Sequence, residues 1–400
     1  GLRDEVTRIA RPDLLPERVE HRLRLEDLLG FRRNPTTSTP RFLEFGSKPL
    51  DGHPTPATPF VKIATGPSGV GVGSSLGLAF TLADRYGPDS PRVHLLEGEG
   101  GLTPGRVYES LASASASGLS NALCHLDWNQ ASIDSDRVTR EGAQPGEYVQ
   151  WDPMELFFLH DWNVVEVPDG FDVRLVLSAQ RRARALDNGQ PTAVVYRTEK
   201  GWRYGITGKK SHGGGHPLCS DAYHETIAPV FGREASALPC RGGDGAGCSA
   251  DSSPEELEAC YWATLERLRE LLETEYREVC DHMAARLATA RDRLDARERT
   301  PRGDAPDAER IYAVADPEET PAELALEPGT KIPLRKQLGK VLGYLNQASG
   351  GALLYGAADL LDSTAVSGTG KGFPGGYWHF RDNPGARALS VGGICEDAIA

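Results

Sequence analysis

At 400 residues, with 39% hydrophobic and 25% charged side chains, the chain has the make-up of a soluble globular protein of two or three domains. A net charge of −13 argues against a general nucleic-acid binder, which would present a basic face, and no apolar run reaches the 18 residues of a membrane span. The seven cysteines lack paired CxxC spacing, and no signal peptide precedes them, which predicts reduced thiols in a cytoplasmic protein.

In chain order, residues 1 to about 60 mix charged helical pieces with Pro-rich loops. A short apolar run, Val61-Lys62-Ile63-Ala64, then meets the Gly-rich loop Thr65-Gly66-Pro67-Ser68-Gly69-Val70-Gly71, and a helix follows through Leu76, Leu78, Ala79, Leu82 and Ala83. Strands are predicted at Arg92–Leu96, Ala122–Asp127, Trp162–Val167 and Thr192–Tyr196, with helices at Gly105–Ser117 and Val173–Leu186. Strands that are nearly continuous apolar runs between helices predict an α/β domain, a doubly wound parallel sheet covered on both faces. A Gly/Ser/Asp-rich linker spans Arg233–Pro254. In it Cys240 and Cys248 flank a glycine-rich loop, but no nearby Cys or His completes a zinc set at the usual spacing. Pro254–Glu298, rich in Glu, Arg, Leu and Ala, reads as a solvated connecting helix pair, and Thr300–Thr330 as a second linker. A helix at Leu334–Leu345 and strands at Ala352–Gly356 and Arg387–Val391 read as the opening of a second α/β domain. Two strands and one helix cannot close a core, so that domain is expected to be incomplete.

The chemistry centres on Gly98-Glu99-Gly100, just after one predicted strand, and on Asn129, just after the next. In a parallel sheet both strand ends open on the edge where ligands bind. A carboxylate and an amide oxygen there can share one hard cation such as Mg²⁺, an ion commonly completed by phosphate oxygens. Glycines beside the carboxylate let backbone approach a diphosphate closely. The Gly66–Gly71 loop leads into a helix N-terminus, a setting that suits an anion. Its glycines do not follow the G-x-G-x-x-G order of a dinucleotide-binding dehydrogenase, and no acidic ribose partner follows at the right distance.

Gly98-Glu99-Gly100 with Asp127-Trp128-Asn129-Gln130-Ala131-Ser132-Ile133-Asp134 resembles the thiamine diphosphate signature of the transketolase family. The resemblance implies a metal site of Glu99, Asn129 and the carbonyl of Ala131, with Mg²⁺ or Ca²⁺ and thiamine diphosphate as cofactors. The family has Asp where this chain has Glu99, and the extra methylene moves the carboxylate outward by roughly 1.5 Å. Gly52-His53-Pro54 and the loop at Gly66 and Ser68 are similar to the family's substrate-facing histidine and cofactor loop. Lys200-Gly201-Trp202 and Ser211-His212-Gly213 resemble the stretch whose histidine contacts the diphosphate, with His216 a weaker candidate. Tyr355–Leu360 resembles a segment that places Asp359 on the cofactor across a subunit interface. Gly393-Ile394-Cys395-Glu396 resembles the turn of the catalytic glutamate, which sets the cofactor's tautomer. Arg335 and Ser363 resemble substrate-phosphate contacts.

By that resemblance, residues 1–232 form a diphosphate-binding domain incomplete at its N-terminus, 233–325 a linker with long helices, and 326–400 the truncated start of a pyrimidine-binding domain. The implied activity is transfer of a two-carbon ketol unit from a ketose phosphate to an aldose through a cofactor carbanion, with Glu396, His212 and His53 as catalytic residues in a homodimer. The alternatives are a 2-oxo acid decarboxylating component or synthase on the same fold, and a non-catalytic relative. Two histidines that the family carries upstream of Gly52 have no counterpart, and its pyrimidine-binding aromatics would follow Ala400. The chain starts at Gly1 and stops in an apolar stretch. It is therefore expected to be an internal fragment or, alternatively, one subunit of a split gene that pairs with a second.

Overall fold

The computed structural model describes residues 2–32, 38–53, 55–56, 58–59, 61, 63–213, 215–232, 238, 247–315, 318–357 and 360–390. In chain order the helices are α1 (Leu2–Ala10), α2 (Pro40–Glu44), α3 (Val70–Tyr86), α4 (Gly105–Ala116), α5 (Pro153–Leu159), α6 (Val173–Ala185), α7 (Asp221–Phe231), α8 (Pro254–Glu273), α9 (Arg277–Asp295), α10 (Glu309–Val314) and α11 (Leu334–Ala348). The strands are β1 (Val93–Gly98), β2 (Ala122–Trp128), β3 (Asn163–Val167) and β4 (Thr192–Arg197). The chain divides into two compact units, one of residues 1–66 and 200–298, the other of 67–199 and 299–400.

The second unit is built on the four strands, all parallel, in the order β1-β2-β4-β3. Side chains alternate across the sheet. Cys124 and Leu126 of β2 point to the face that Leu76 and Ala79 of α3 and Leu111 of α4 cover. Leu123 points to the other face, with Ala179 and Ala183 of α6. Both faces carry helices, as expected of an α/β sheet. On β1 the outward face is open: Leu96 is 80% exposed, and His94 stacks on His125, ring centroids 5.2 Å apart. Leu78 also faces outward on α3, against the core position its spacing suggested. Beyond the sheet, Arg387, 2% exposed, forks onto both carboxylate oxygens of Asp84 at 2.9 and 3.0 Å, which ties residues 378–388 to α3. A buried charge is tolerated only when paired in this way.

The two strands expected in residues 352–356 and 387–391 do not form as strands among the described residues. Tyr355 and Ala388 meet in one parallel bridge: Tyr355 N donates to Arg387 O (3.1 Å) and Leu389 N to Tyr355 O (2.7 Å). Ala388 also bridges Tyr377 in parallel, with Trp378 N donating to Ala388 O (2.7 Å), so isolated bridges on either side of one residue stand where two strands were expected.

The first unit is helical. Trp262 and Leu265 of α8 pack with Leu25, Leu29 and Phe42, Leu271 packs with Phe231 and Leu238, and Cys280 and Ala284 of α9 pack with Val6 of α1. The solvated helix pair read from residues 254–298 is thus two helices that each bury a face. The spacing of their few apolar residues decides this, and the dense charge covers only the outer side. Glu258 of α8 accepts from Thr39 Oγ1, from Arg41 N (2.9 Å) and from Phe42 N (2.9 Å), so it satisfies the start of α2. Cys219 and Cys248, 29 residues apart in sequence, are joined in a disulfide with Cα atoms 6.2 Å apart. This corrects the expectation of reduced thiols throughout: folding back of the intervening chain makes a pair that no short spacing announces. No helix among the described residues is long and apolar enough to cross a membrane.

Candidate functional site

The register of the sheet sets the site in the second unit. Gly98 at the end of β1 pairs with Asp127 of β2, and Trp128 pairs with Arg197 of β4, so three strand ends finish level with one another. Glu99 follows β1 in a tight turn through Leu102, Asn129 follows β2, and Thr198 follows β4. All three therefore sit at the carboxyl edge of a parallel sheet, where ligand crevices form.

Glu99 is 1% exposed. Its Oε2 accepts from Asn129 N at 3.1 Å, whereas its Oε1 has no hydrogen-bond partner among the described residues. Burial pushes the Glu99 carboxyl up to about 7, and the backbone N–H groups of Asn129 and of Glu99 itself offset this only in part. Asn129 Nδ2 donates to Asp127 Oδ2 (3.0 Å), while its Oδ1 accepts from Ala131 N (2.9 Å). The other oxygen of Asp127 accepts from Thr198 Oγ1. The carboxylate of Glu99 thus meets the backbone of Asn129, whose side-chain oxygen turns to Ala131 N, and Asp127 with Thr198, two residues the sequence left unassigned, holds the other end of that amide. The signal for Asp127 was present, since it stands two residues before Asn129 in the motif.

A second layer fixes the loop. Gln130 is buried with φ +64°, and its amide accepts from Thr139 N (2.9 Å) and donates to Thr139 O (3.1 Å). Arg197 lies over the Trp128 ring, 5.2 Å from its centroid, and forks onto Glu141 at 2.8 and 3.1 Å. Ser68 is exposed in the turn that opens α3. Next to it, Gly69 is buried at φ +81°, and a Cβ there would lie 2.8 Å from Val107, so only glycine lets this turn pack against the start of α4. A cleft of about 410 Å³ opens at the same sheet edge, lined by residues that include Gly98, Asp127, Tyr196 and Thr198.

The remaining expected residues of the second unit lie on α11 and after it. Arg335 is exposed in the first turn of α11, and Ser363 is exposed with its hydroxyl 3.4 Å from Leu360 O. Lys336, Lys340 and Lys371, rather than Arg335, line a cleft of about 440 Å³ there. Asp359 and Glu396 lie outside the described residues.

In the first unit, His53 is exposed and lies beside Gly66, where a Cβ would stand 3.9 Å from its Nδ1. His212 is also exposed, with Nδ1 2.7 Å from Lys200 Nζ. An ammonium has no lone pair, so Nδ1 accepts and the imidazole keeps its proton on Nε2. Gly201, at φ +80°, closes this loop: a Cβ there would fall 2.0 Å from Ile206 O. His216 is bound locally, with Nε2 2.7 Å from Tyr204 O.

Comparison with known proteins fits this arrangement. The family model described as "Transketolase, thiamine diphosphate binding domain" matches residues 23–233, more than half of the chain. Human transketolase is 32% identical over 187 residues, which is 46% of this chain and 28% of that protein. Mouse transketolase-like protein 2 is 36% identical over 152 residues, or 38% of this chain and 23% of that protein. Among solved structures, transketolase from Leishmania mexicana superposes with a TM-score of 0.54 at 21% identity, and that from Campylobacter jejuni with 0.53 at 21%. Each superposition covers 92% of this chain and 48% of the other, so the chain spans about half the length of these enzymes. The parallel α/β fold and the matched cofactor-binding domain lead to one conclusion: the chain belongs to the transketolase family.

Proposed function

We propose that this chain supplies the metal- and diphosphate-binding part of a thiamine diphosphate enzyme that transfers a two-carbon ketol unit from a phosphorylated ketose to an aldose acceptor. One observation carries the reading. Glu99 is buried at the carboxyl edge of β1 beside Asn129, with one oxygen that no group among the described residues satisfies. A buried carboxylate oxygen without a donor is costly, and a cation is the partner that would offset the cost. The residues present therefore fit Mg²⁺, held by Glu99, the Asn129 amide oxygen and the Ala131 carbonyl and completed by phosphate oxygens. Gly66, Ser68, Gly98 and Gly100 would line the diphosphate.

Bound there, thiamine diphosphate would supply the nucleophilic carbon and the electron sink for carbon–carbon cleavage. The chain's own groups bind and orient. Asp127, held by Thr198, fixes which way the Asn129 amide points, so its oxygen is presented without rotamer search. His212 offers a proton on Nε2 to an anionic oxygen. His53, beside Gly66, is suited to exchange a proton with a substrate hydroxyl. Arg335 and Ser363 are assigned to the substrate phosphate. Asp359 and Glu396 keep the cofactor roles that the family pattern implies, in a homodimer.

Calorimetric titration of the full-length chain with thiamine diphosphate at saturating Mg²⁺ tests this. Binding is expected, weakened by at least about a hundredfold in Glu99→Ala, which loses a charged ligand. Transfer between pentose phosphates should accompany it. Release of CO₂ from pyruvate in its place would identify a decarboxylating relative, and binding without turnover a non-catalytic one. No Mg²⁺-dependent binding by the parent chain would overturn the assignment.

A further inference from the structure

The helical unit brings together chemistry that transfer between sugars does not use. Cys219 stands just ahead of α7, Cys248 lies in the segment leading to α8, and Cys260 sits on α8 itself. Their three sulfur atoms all lie within 4.8 Å of one another. Cys219 is 7% exposed, and the other two are half-buried. The disulfide between Cys219 and Cys248 uses two of these sulfurs and leaves the convergence of the third without a purpose.

One soft cation would use all three. Zn²⁺ binds thiolate sulfur at about 2.3 Å in a tetrahedron, which sets pairs of sulfurs roughly 3.8 Å apart. That spacing falls within the observed cluster, and a Cα separation of 6.2 Å suits a shared ion as well as a disulfide. The location gives such an ion a structural task. Residues 233–254 are rich in Gly, Ser and Asp and contain few side chains that could hold the segment by burial. Ordering a segment of that composition costs conformational entropy that few of its own side chains can offset. We propose that Cys219, Cys248 and Cys260, when reduced, hold a Zn²⁺ ion that clips the residues around Cys248 to the starts of α7 and α8. The Cys219–Cys248 disulfide is the oxidised, metal-free form of the same site. Each thiol gives up its proton on binding, and one position of the tetrahedron remains for a fourth donor.

The test uses the full-length chain, reduced, stripped of metal and titrated with Zn²⁺ alone against a chromogenic chelator. One ion per chain is expected, with affinity falling by at least about a hundredfold in Cys260→Ser, which removes one of three charged ligands. Cys260 takes no part in the disulfide, so Cys260→Ser retains that cross-link, and far-ultraviolet circular dichroism checks its fold. Replacing Zn²⁺ with Co²⁺ should give a thiolate-to-cobalt charge-transfer band in the parent that weakens in Cys260→Ser. The proposal is overturned if the reduced parent binds Zn²⁺ no more tightly than Cys260→Ser. It is overturned equally if Cys260 is alkylated at the same rate with and without excess Zn²⁺.

Discussion

Glu99 and Glu258 are both 1% exposed, one in the sheet unit and one in the helical unit, and their surroundings differ in kind. Glu258 accepts from a hydroxyl and two backbone N–H groups, all belonging to the start of α2. Its charge is consumed by the fold. Glu99 Oε2 accepts from Asn129 N, its Oε1 has no hydrogen-bond partner among the described residues, and burial pushes its carboxyl up to about 7. Burial alone therefore does not separate a structural carboxylate from a functional one. The number of donors aimed at it is the criterion that the proposed function relies on, because an uncompensated buried oxygen is retained only at a cost in stability.

The largest expected effect lies on the structural side. Glu258→Ala removes the shared acceptor of three donors, each costing roughly 1–3 kcal/mol when left unsatisfied in a buried setting. The chain should lose about 4 kcal/mol in urea unfolding, with cofactor affinity unchanged in the folded protein. A loss below about 1 kcal/mol would mean that water reaches α2 and would break the comparison.

Glu99→Gln should act in the opposite direction. In the cation-free chain the folded state holds a proton on Glu99 that the unfolded chain releases above the ordinary value of 4.5. Stability therefore falls as pH rises from about 4.5 to about 7, by up to about 3 kcal/mol. The glutamine chain lacks that slope. It should match the parent near pH 4.5 and exceed it at pH 8, and Mg²⁺ with thiamine diphosphate should reverse the order by stabilising only the parent. Urea melts at the two pH values, with and without ligand, measure this. Parallel pH profiles for the two proteins would show that Glu99 is not desolvated.

The sequence made some of this legible and hid the rest for physical reasons. The apolar runs in β2 and β4 reveal a parallel sheet because those central strands are buried on both faces, and parallel pairing of β1 with β2 puts residues 99 and 129 on one edge. Whether Glu99's second oxygen finds a donor depends on packing that no spacing encodes. The same applies to Cys219, Cys248 and Cys260, which come together only once α7 and α8 fold. Other features were written locally and passed over. Asp152-Pro153 with Glu155 forms a capping box at the start of α5, and Ser220 caps α7. The strands expected near Tyr355 and Ala388 reflect local propensity, and in the fold they reduce to isolated bridges from Ala388 to Tyr355 and to Tyr377.

The smallest effects sharpen the comparison most, because they change one hydroxyl on each side. Thr198 Oγ1 donates to Asp127, which in turn holds the Asn129 amide, whereas Thr39 Oγ1 donates to Glu258. Valine keeps the branched shape and removes the donor, so Thr198→Val and Thr39→Val each delete one hydrogen bond to a carboxylate, worth about 1.5 kcal/mol. In Thr39→Val the loss should fall on stability alone, since Glu258 retains two backbone donors and α2 remains in place. In Thr198→Val the same energy should appear mainly as a roughly tenfold weaker Mg²⁺-dependent binding of thiamine diphosphate, because Asp127 can swing and no longer fixes the orientation of the Asn129 amide. Paired melting and calorimetry on the two variants read both quantities. Equal weakening of cofactor binding by the two substitutions would mean that hydroxyl loss acts through general loosening, and the distinction between a carboxylate spent on the fold and one held for a ligand would fail.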